Sequence, residues 1–266
     1  MPKLGGNVDR YLRREMLPTV WCPGCGNGSI AQALAVALDR LQKEPRDVAV
    51  VGGIGCSGRT PFYMATNAMH TTHGRALAFA TGLKLARPDL TVVVTSGDGD
   101  SLAIGGNHFI QAARRNIDLT LLLYNNAIYG MTGGQAAPTT PTGSRTTTSP
   151  SSGSTENAFD AAELAMAAGA TFVARTTTFD VQEMPLLIER AIRHPGFAMV
   201  EIITQCPTYY GRLNRIGEAP EMLVWEKDMT AGGAAAAMGW QTGVFRDEIR
   251  PEYGAQIRRR AAGVTS

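Results

Sequence analysis

The chain has 266 residues, 44% of them hydrophobic and 18% charged, enough for one large domain with a sizeable core. Its formal net charge of +2 makes no case for a nucleic-acid partner, and no run approaches the roughly 20 apolar residues of a membrane span. Residues 1–6 lack the apolar core of a signal peptide, so a cytoplasmic location is expected, where four cysteines serve more often as metal ligands or catalysts than as disulfides.

Residues 1–20 are polar and basic and read as an N-terminal arm lying on the body or on a neighbour. Next comes Trp21-Cys22-Pro23-Gly24-Cys25-Gly26, a C-x-x-C spacing in a Pro/Gly turn that presents both sulfurs to one metal. A thioredoxin-like redox pair would need a strand just upstream, and residues 13–18 make a poor one. Apolar residues at Ile30, Leu34, Leu38 and Leu41 predict a helix over 29–41. A strand is predicted over 48–51, and at its carboxyl end stand Ile54, Gly55, Cys56, Ser57 and Arg59, a third cysteine among glycines. Residues 61–72 read as irregular, and His73-Gly74-Arg75 opens a helix to about Ala86.

Two buried strands are predicted over 91–95 and 119–124, with a helix over 104–116 between them. The first ends in Ser96-Gly97-Asp98-Gly99-Asp100 and the second in Asn125-Asn126-Ala127-Ile128-Tyr129-Gly130. In open parallel sheets ligands bind at such ends. Glycines admit a diphosphate closely. Asp98 offers a carboxylate, Asn126 an amide oxygen and Ile128 a backbone carbonyl to magnesium, which takes about six oxygens. Either turn alone is an ordinary loop; the pair at consecutive strand ends is the signal.

Residues 133–157 are rich in Gly, Ser, Thr and Pro, the composition of a flexible linker. They start at the cofactor edge, so a lid or a docking surface is expected. A helix over 159–168, a strand over 171–175, a helix over 181–193 and a strand over 198–203 follow, then Cys206-Pro207. His108 and His194 read as structural, His194 at a helix end that welcomes positive charge. Residues 217–266, with Trp225, Met229, an Ala-rich run over 231–238 and Arg258 to Arg260, read as a solvated extension. The fold expected is a single doubly wound α/β domain over 21–216, its sheet mostly parallel, with irregular arms at both ends.

This order brings all four cysteines towards one edge. Four thiolates suit a [4Fe–4S] cluster or a structural zinc, and Cys56 and Cys206 could equally be small buried hydrophobes.

The Gly-Asp-Gly and Asn-Asn pair resembles the diphosphate-binding motif of thiamine diphosphate enzymes. Tyr129-Gly130-Met131-Thr132-Gly133-Gly134-Gln135, with Cys-Pro-Gly-Cys-Gly, Gly-Ile-Gly-Cys-Ser-Gly and Cys-Pro-Thr-Tyr, resembles the β subunit of 2-oxoacid:ferredoxin oxidoreductases over roughly residues 18–216. The resemblance implies coenzyme A-dependent oxidative decarboxylation of 2-oxoglutarate, or else of pyruvate or several 2-oxoacids, with electrons leaving to ferredoxin. It implies thiamine diphosphate, magnesium and a [4Fe–4S] cluster. Cys22, Cys25, Cys56 and Cys206 would hold the cluster, and Asp98, Asn126 and Ile128 the magnesium. Ile54, Gly55, Cys56, Ser57, Gly97, Gly99, Asp100, Asn125, Gly130, Met131 and Thr132 would line the cofactor, with Arg59, His73 and Arg75 beside the substrate. The glutamate that thiamine enzymes place on the aminopyrimidine ring has no second α/β unit here to carry it. An α subunit with a pyrimidine-binding domain is therefore expected. Two rivals stand: a non-redox thiamine enzyme, which needs no cysteines, and a zinc-stabilised binding module, which needs no Gly-Asp-Gly/Asn-Asn pair.

Overall fold

The apolar runs form a sheet buried on both faces, in a computed structural model that describes residues 7–230 and 240–263. In β1 (Val48–Gly52), Ala49 and Val51 enter one core while Val48 and Val50 enter the other. β3 (Thr91–Gly97), β4 (Leu119–Asn125), β7 (Phe172–Thr177) and β8 (Phe197–Ile203) divide their side chains in the same way. Both faces being covered, the strands read as continuous apolar runs. α3 (Ala76–Ala86), α4 (Gly106–Arg114) and α5 (Ala161–Ala168) cover one face, and α1 (Asn27–Arg40) and α6 (Met184–Arg193) the other.

The seven strands run in the order β2-β1-β3-β4-β8-β7-β9, parallel except for β9. β2 (Asn67–His70) lies on one side of β1 and β3 on the other. The chain thus reverses its winding between β1 and β3, which opens a crevice at their carboxyl ends.

Some expectations are corrected. The stretch 61–72 contains α2 (Thr60–Tyr63) and the edge strand β2, whose mostly exposed side chains leave no apolar pattern to read. A π-turn over Gly99–Ile104 precedes α4, so the helix begins at Gly106. Residues 133–157 do not hang free: β5 (Ile128–Tyr129) and β6 (Gln135–Ala136) pair as a hairpin, and Thr139, Thr140 and Thr146 are buried. After the single turn α7 (Arg212–Asn214), α8 (Ala219–Thr230) buries Met222 and Glu226. β9 (Gly243–Asp247) joins the sheet on β7, and α9 (Tyr253–Ala261) follows. The extension is therefore partly structural; β9 has too few apolar residues to show as a strand. Its Ala-rich run lies outside the described residues. From residue 7 the N-terminal arm lies on the body, where buried Tyr11 donates its hydroxyl to the carbonyl of Leu38 or Lys43. Among the described residues no helix is long and apolar enough to cross a membrane.

Candidate active site

A cleft opens at the switch point. The loop after β1 lines it with Ile54 to Ser57, the loop after β3 with Gly97 to Asp100, and the turn after β4 with Asn126 and Ile128 to Thr132. His73, Asn27 and Tyr124 complete the wall. A Cβ on Gly99 would fall 2.2 Å from the Tyr129 ring, so only glycine fits there. A Cβ on Gly130 would sit 3.7 Å from the Cys206 sulfur and 4.0 Å from that of Cys56.

Asp98 is buried at the cleft, and its Oδ2 accepts from the Thr139 hydroxyl at 2.5 Å. Burial pushes its pKa up to about 7; Thr139 and backbone donors pull it back, and nearby Glu201 pushes it further. No cation among the described residues pairs with it, so a bound metal ion would relieve a costly burial.

Asn125, expected on the cofactor, turns inward instead. Its Nδ2 donates to Glu201 Oε1 at 2.7 Å, and its Oδ1 accepts from Ala127 N at 3.1 Å. It shapes the turn in which Ala127 takes φ +59° and which places Asn126 and Ile128 on the cleft. Glu201 Oε2 in turn accepts from Arg175 Nε at 2.7 Å, and Arg175 Nη2 donates to Asp160 Oδ1 at 2.6 Å. Thr140 bonds the Ala127 carbonyl at 2.6 Å, so residues 139–140 strap both the Asp98 loop and the Asn126 turn.

Asp100 lines the cleft, but its carboxylate is committed to the protein. Oδ1 accepts from His73 Nδ1 at 2.5 Å, Gly74 N at 2.7 Å and Ile54 N at 3.3 Å; Oδ2 accepts from Ser96 Oγ at 2.5 Å. It braces three loops and orients His73. Arg59 and Arg75 do not line the cleft. Arg59 stacks over Phe62 at 5.6 Å, and Arg75 donates to the His73 carbonyl at 3.0 Å. Arg59 is still close enough that its charge pulls the Cys56 pKa down.

The cysteine loops are tied together. Trp21 Nε1 donates to the Cys56 carbonyl at 2.7 Å, and Gly26 N to the Gln205 carbonyl at 3.4 Å. All four cysteines are free thiols. Burial pushes Cys25 up to about 12 and Cys56 to about 11, and Cys206 is raised too, each with contributions from other cysteines of the set. Such thiols would ionise on meeting a metal. Among the described residues no three His, Cys, Asp or Glu side chains close on a single ion.

Sequence reasoning missed Thr139, Thr140, Glu201 and Arg175. The signal for the last two was present: one charge in each of two apolar strands, which the register sets opposite each other.

Residues 53–202 match the family described as thiamine pyrophosphate enzyme, C-terminal TPP binding domain. A 2-oxoglutarate synthase subunit KorB from Archaeoglobus fulgidus is 57% identical over 199 residues, 75% of this chain and 74% of that protein. The KorB of Methanocaldococcus jannaschii is 51% identical over 219 residues, 82% of this chain and 81% of its own length. A solved 2-oxoglutarate:ferredoxin oxidoreductase from Magnetococcus marinus, with 2-oxoglutarate, coenzyme A and succinyl-CoA bound, superposes with a TM-score of 0.85 at 35% identity, covering 97% of this chain and 91% of that one.

Proposed function

The chain belongs to the β-subunit family of 2-oxoacid:ferredoxin oxidoreductases, and on that footing we propose that its cleft seats thiamine diphosphate and magnesium against a [4Fe–4S] cluster. It is a subunit of an oxidoreductase of the 2-oxoglutarate synthase type and works with an α subunit. The reaction is the coenzyme A-dependent oxidative decarboxylation of 2-oxoglutarate to succinyl-CoA and carbon dioxide, with ferredoxin as the electron acceptor.

One observation carries the cofactor reading: the buried Asp98 carboxylate, one oxygen held by Thr139, shares an edge with four thiols. Asp98, Asn126 and the Ile128 carbonyl would hold magnesium, and Gly97, Gly99 and Gly130 leave room for a diphosphate. Cys22, Cys25, Cys56 and Cys206 would hold the cluster. The loop of Cys56, which lines the cleft, would serve both groups. When bound, thiamine diphosphate supplies an electron sink for decarboxylation and the cluster an acceptor for the electrons released.

The chain's own side chains position and move protons. Asp98 would neutralise the ion, and Asn125, fixed by Glu201, holds the turn that would present Asn126 to it. Asp100 ties His73 Nδ1, leaving Nε2 to hold or give a proton in the cleft. Arg59 and Arg75 would meet a substrate carboxylate only after a side-chain rotation. The aminopyrimidine glutamate is assigned to the α subunit.

The test uses the αβ complex purified anaerobically. It should reduce a viologen dye in the presence of both 2-oxoglutarate and coenzyme A, faster than with pyruvate, and the chain alone should not. Absence of reduction with every 2-oxoacid overturns the assignment, and a preference for pyruvate overturns the substrate.

A further inference from the structure

Away from the cleft, the cysteine loops floor a second, open groove. Pro23, next to Cys22, and Pro207, next to Cys206, line it together with Arg212 and Arg215. The two loops meet: a Cβ on Gly24 would come within 3.7 Å of the Pro207 ring, and within 2.4 Å of Ala219 at the start of α8. Cys22 is the exposed member of the four cysteines. Arg145 belongs to the same surface, because Asn214 accepts from its backbone N–H at 2.7 Å and donates to its carbonyl at 3.0 Å.

Arg145, Arg212 and Arg215 are exposed, and among the described residues none has an ion-pair partner. Arg212 only lies over the Tyr209 ring, at 5.9 Å. Glu218 also lines the groove, its backbone N–H donating to Glu221 Oε2 at 3.0 Å. Two unpaired arginines therefore line the opening against the one carboxylate of Glu218, and Arg145 stands beside them on the same surface.

We propose that this groove docks an acidic one-electron carrier protein of the iron–sulfur type, which collects electrons at the Cys22 edge. The proposal rests on the cluster reading above. The balance of the reaction fits such a surface: R–CO–COO⁻ plus the coenzyme A thiol give R–CO–S–CoA, carbon dioxide, one proton and two electrons. Each turnover thus reduces two carrier molecules by one electron each, and the first must leave before the second arrives. Exposed rim charges suit this exchange, since they speed encounter without building a tight complex and are screened by salt.

The experiment compares the wild-type αβ complex with Arg212→Glu/Arg215→Glu and Arg212→Lys/Arg215→Lys, using an acidic ferredoxin that carries a single iron–sulfur cluster. Iron content, viologen-linked kcat, ferredoxin KM and direct ferredoxin binding at low and high salt are read together. Wild-type binding should weaken with salt. Charge reversal should raise the ferredoxin KM about tenfold or more and abolish binding, with iron content, viologen rate and retention of the α subunit unchanged, while the lysine pair keeps binding. An unchanged KM and unchanged binding after charge reversal overturn the proposal. So does loss of the α subunit from the charge-reversed variant, which makes the face a subunit interface. If the wild type does not reduce viologen, the functional reading fails, and the binding comparison still decides the docking surface.

Discussion

At the amino end of the sheet, Asn116 commits its whole amide inside the fold; at the carboxyl end, Asp98 is a buried carboxylate with no cation beside it among the described residues. Asn116 Oδ1 accepts from Thr171 Oγ1 and Phe197 N, both at 2.8 Å, and its Nδ2 donates towards the carbonyls of Arg250 and Pro251 at 3.2 and 3.3 Å. Beside it Lys84 pairs with Asp118 and bonds the Leu90 carbonyl. His194 is held by Thr171 and Asp247, and burial lowers its pKa, so its role is structural without the positive charge expected at a helix end. At the carboxyl end the accounts stay open. The buried side-chain polar atoms without a partner among the described residues, on Asn27, Thr95, Thr176, Thr204 and Glu226, all lie towards this end. Saturated polar clusters fix a fold, whereas unsaturated ones ask for an occupant.

The contrast breaks if the two ends respond alike to mutation. Asp98→Asn should abolish metal-dependent thiamine diphosphate binding in calorimetry while leaving the apo melting temperature equal or higher, because a buried carboxylate is removed. Asn116→Ala should do the reverse, losing about 2–4 kcal/mol of stability with cofactor affinity kept. Its positive φ of 50° adds to the loss, since alanine tolerates it poorly.

Glu201 is a saturated group at the open end, so it sharpens the comparison. Glu201→Gln breaks its buried pair with Arg175 and loosens Asn125. Both readouts should fall, stability by about 3 kcal/mol and magnesium affinity about tenfold. Thr139→Val removes only the hydroxyl on Asp98, and metal-dependent cofactor binding should weaken about two- to tenfold, as the loss of one hydrogen bond implies.

The smallest effect concerns pH. Burial holds the Glu226 pKa up at about 8, against 4.5 for the ordinary carboxyl. The folded chain keeps a proton that the unfolded chain releases, so the destabilisation is absent below pH 4.5, grows as pH rises and levels off above about 8. One hydroxyl hydrogen on Thr178 also cannot serve both Gln205 Oε1 and Glu226 Oε2, which a proton on Glu226 resolves. Glu226→Gln should therefore gain in melting temperature over the wild type as pH climbs through this window, by about 5 °C at the top. A gap that does not change with pH contradicts the assignment.

The strands were legible because each is buried on both faces, so apolar runs marked them with no need for periodicity. The cleft was legible because its glycines, Asp98 and Asn126 sit at strand ends. Edge strands β2 and β9 were not, since exposed side chains carry no apolar signal. Nor were the straps of Thr139 and Thr140, because a threonine in a Gly/Ser/Thr/Pro-rich loop looks the same whether it bonds water or a buried carboxylate. The inward turn of Asn125 depends on Glu201, 76 residues away, which only the pairing of β4 with β8 brings onto the neighbouring strand, two positions before Ile203, the residue opposite Asn125.

The central claim is that the cysteines at the open end hold a redox cluster beside the thiamine site. Iron and acid-labile sulfide in the anaerobically purified complex, measured for the wild type and for Cys22→Ala, Cys25→Ala, Cys56→Ala and Cys206→Ala, test it most directly. The account predicts about four of each per β chain in the wild type and a sharp loss in every variant. One zinc without sulfide, or four variants that keep their iron, would contradict it.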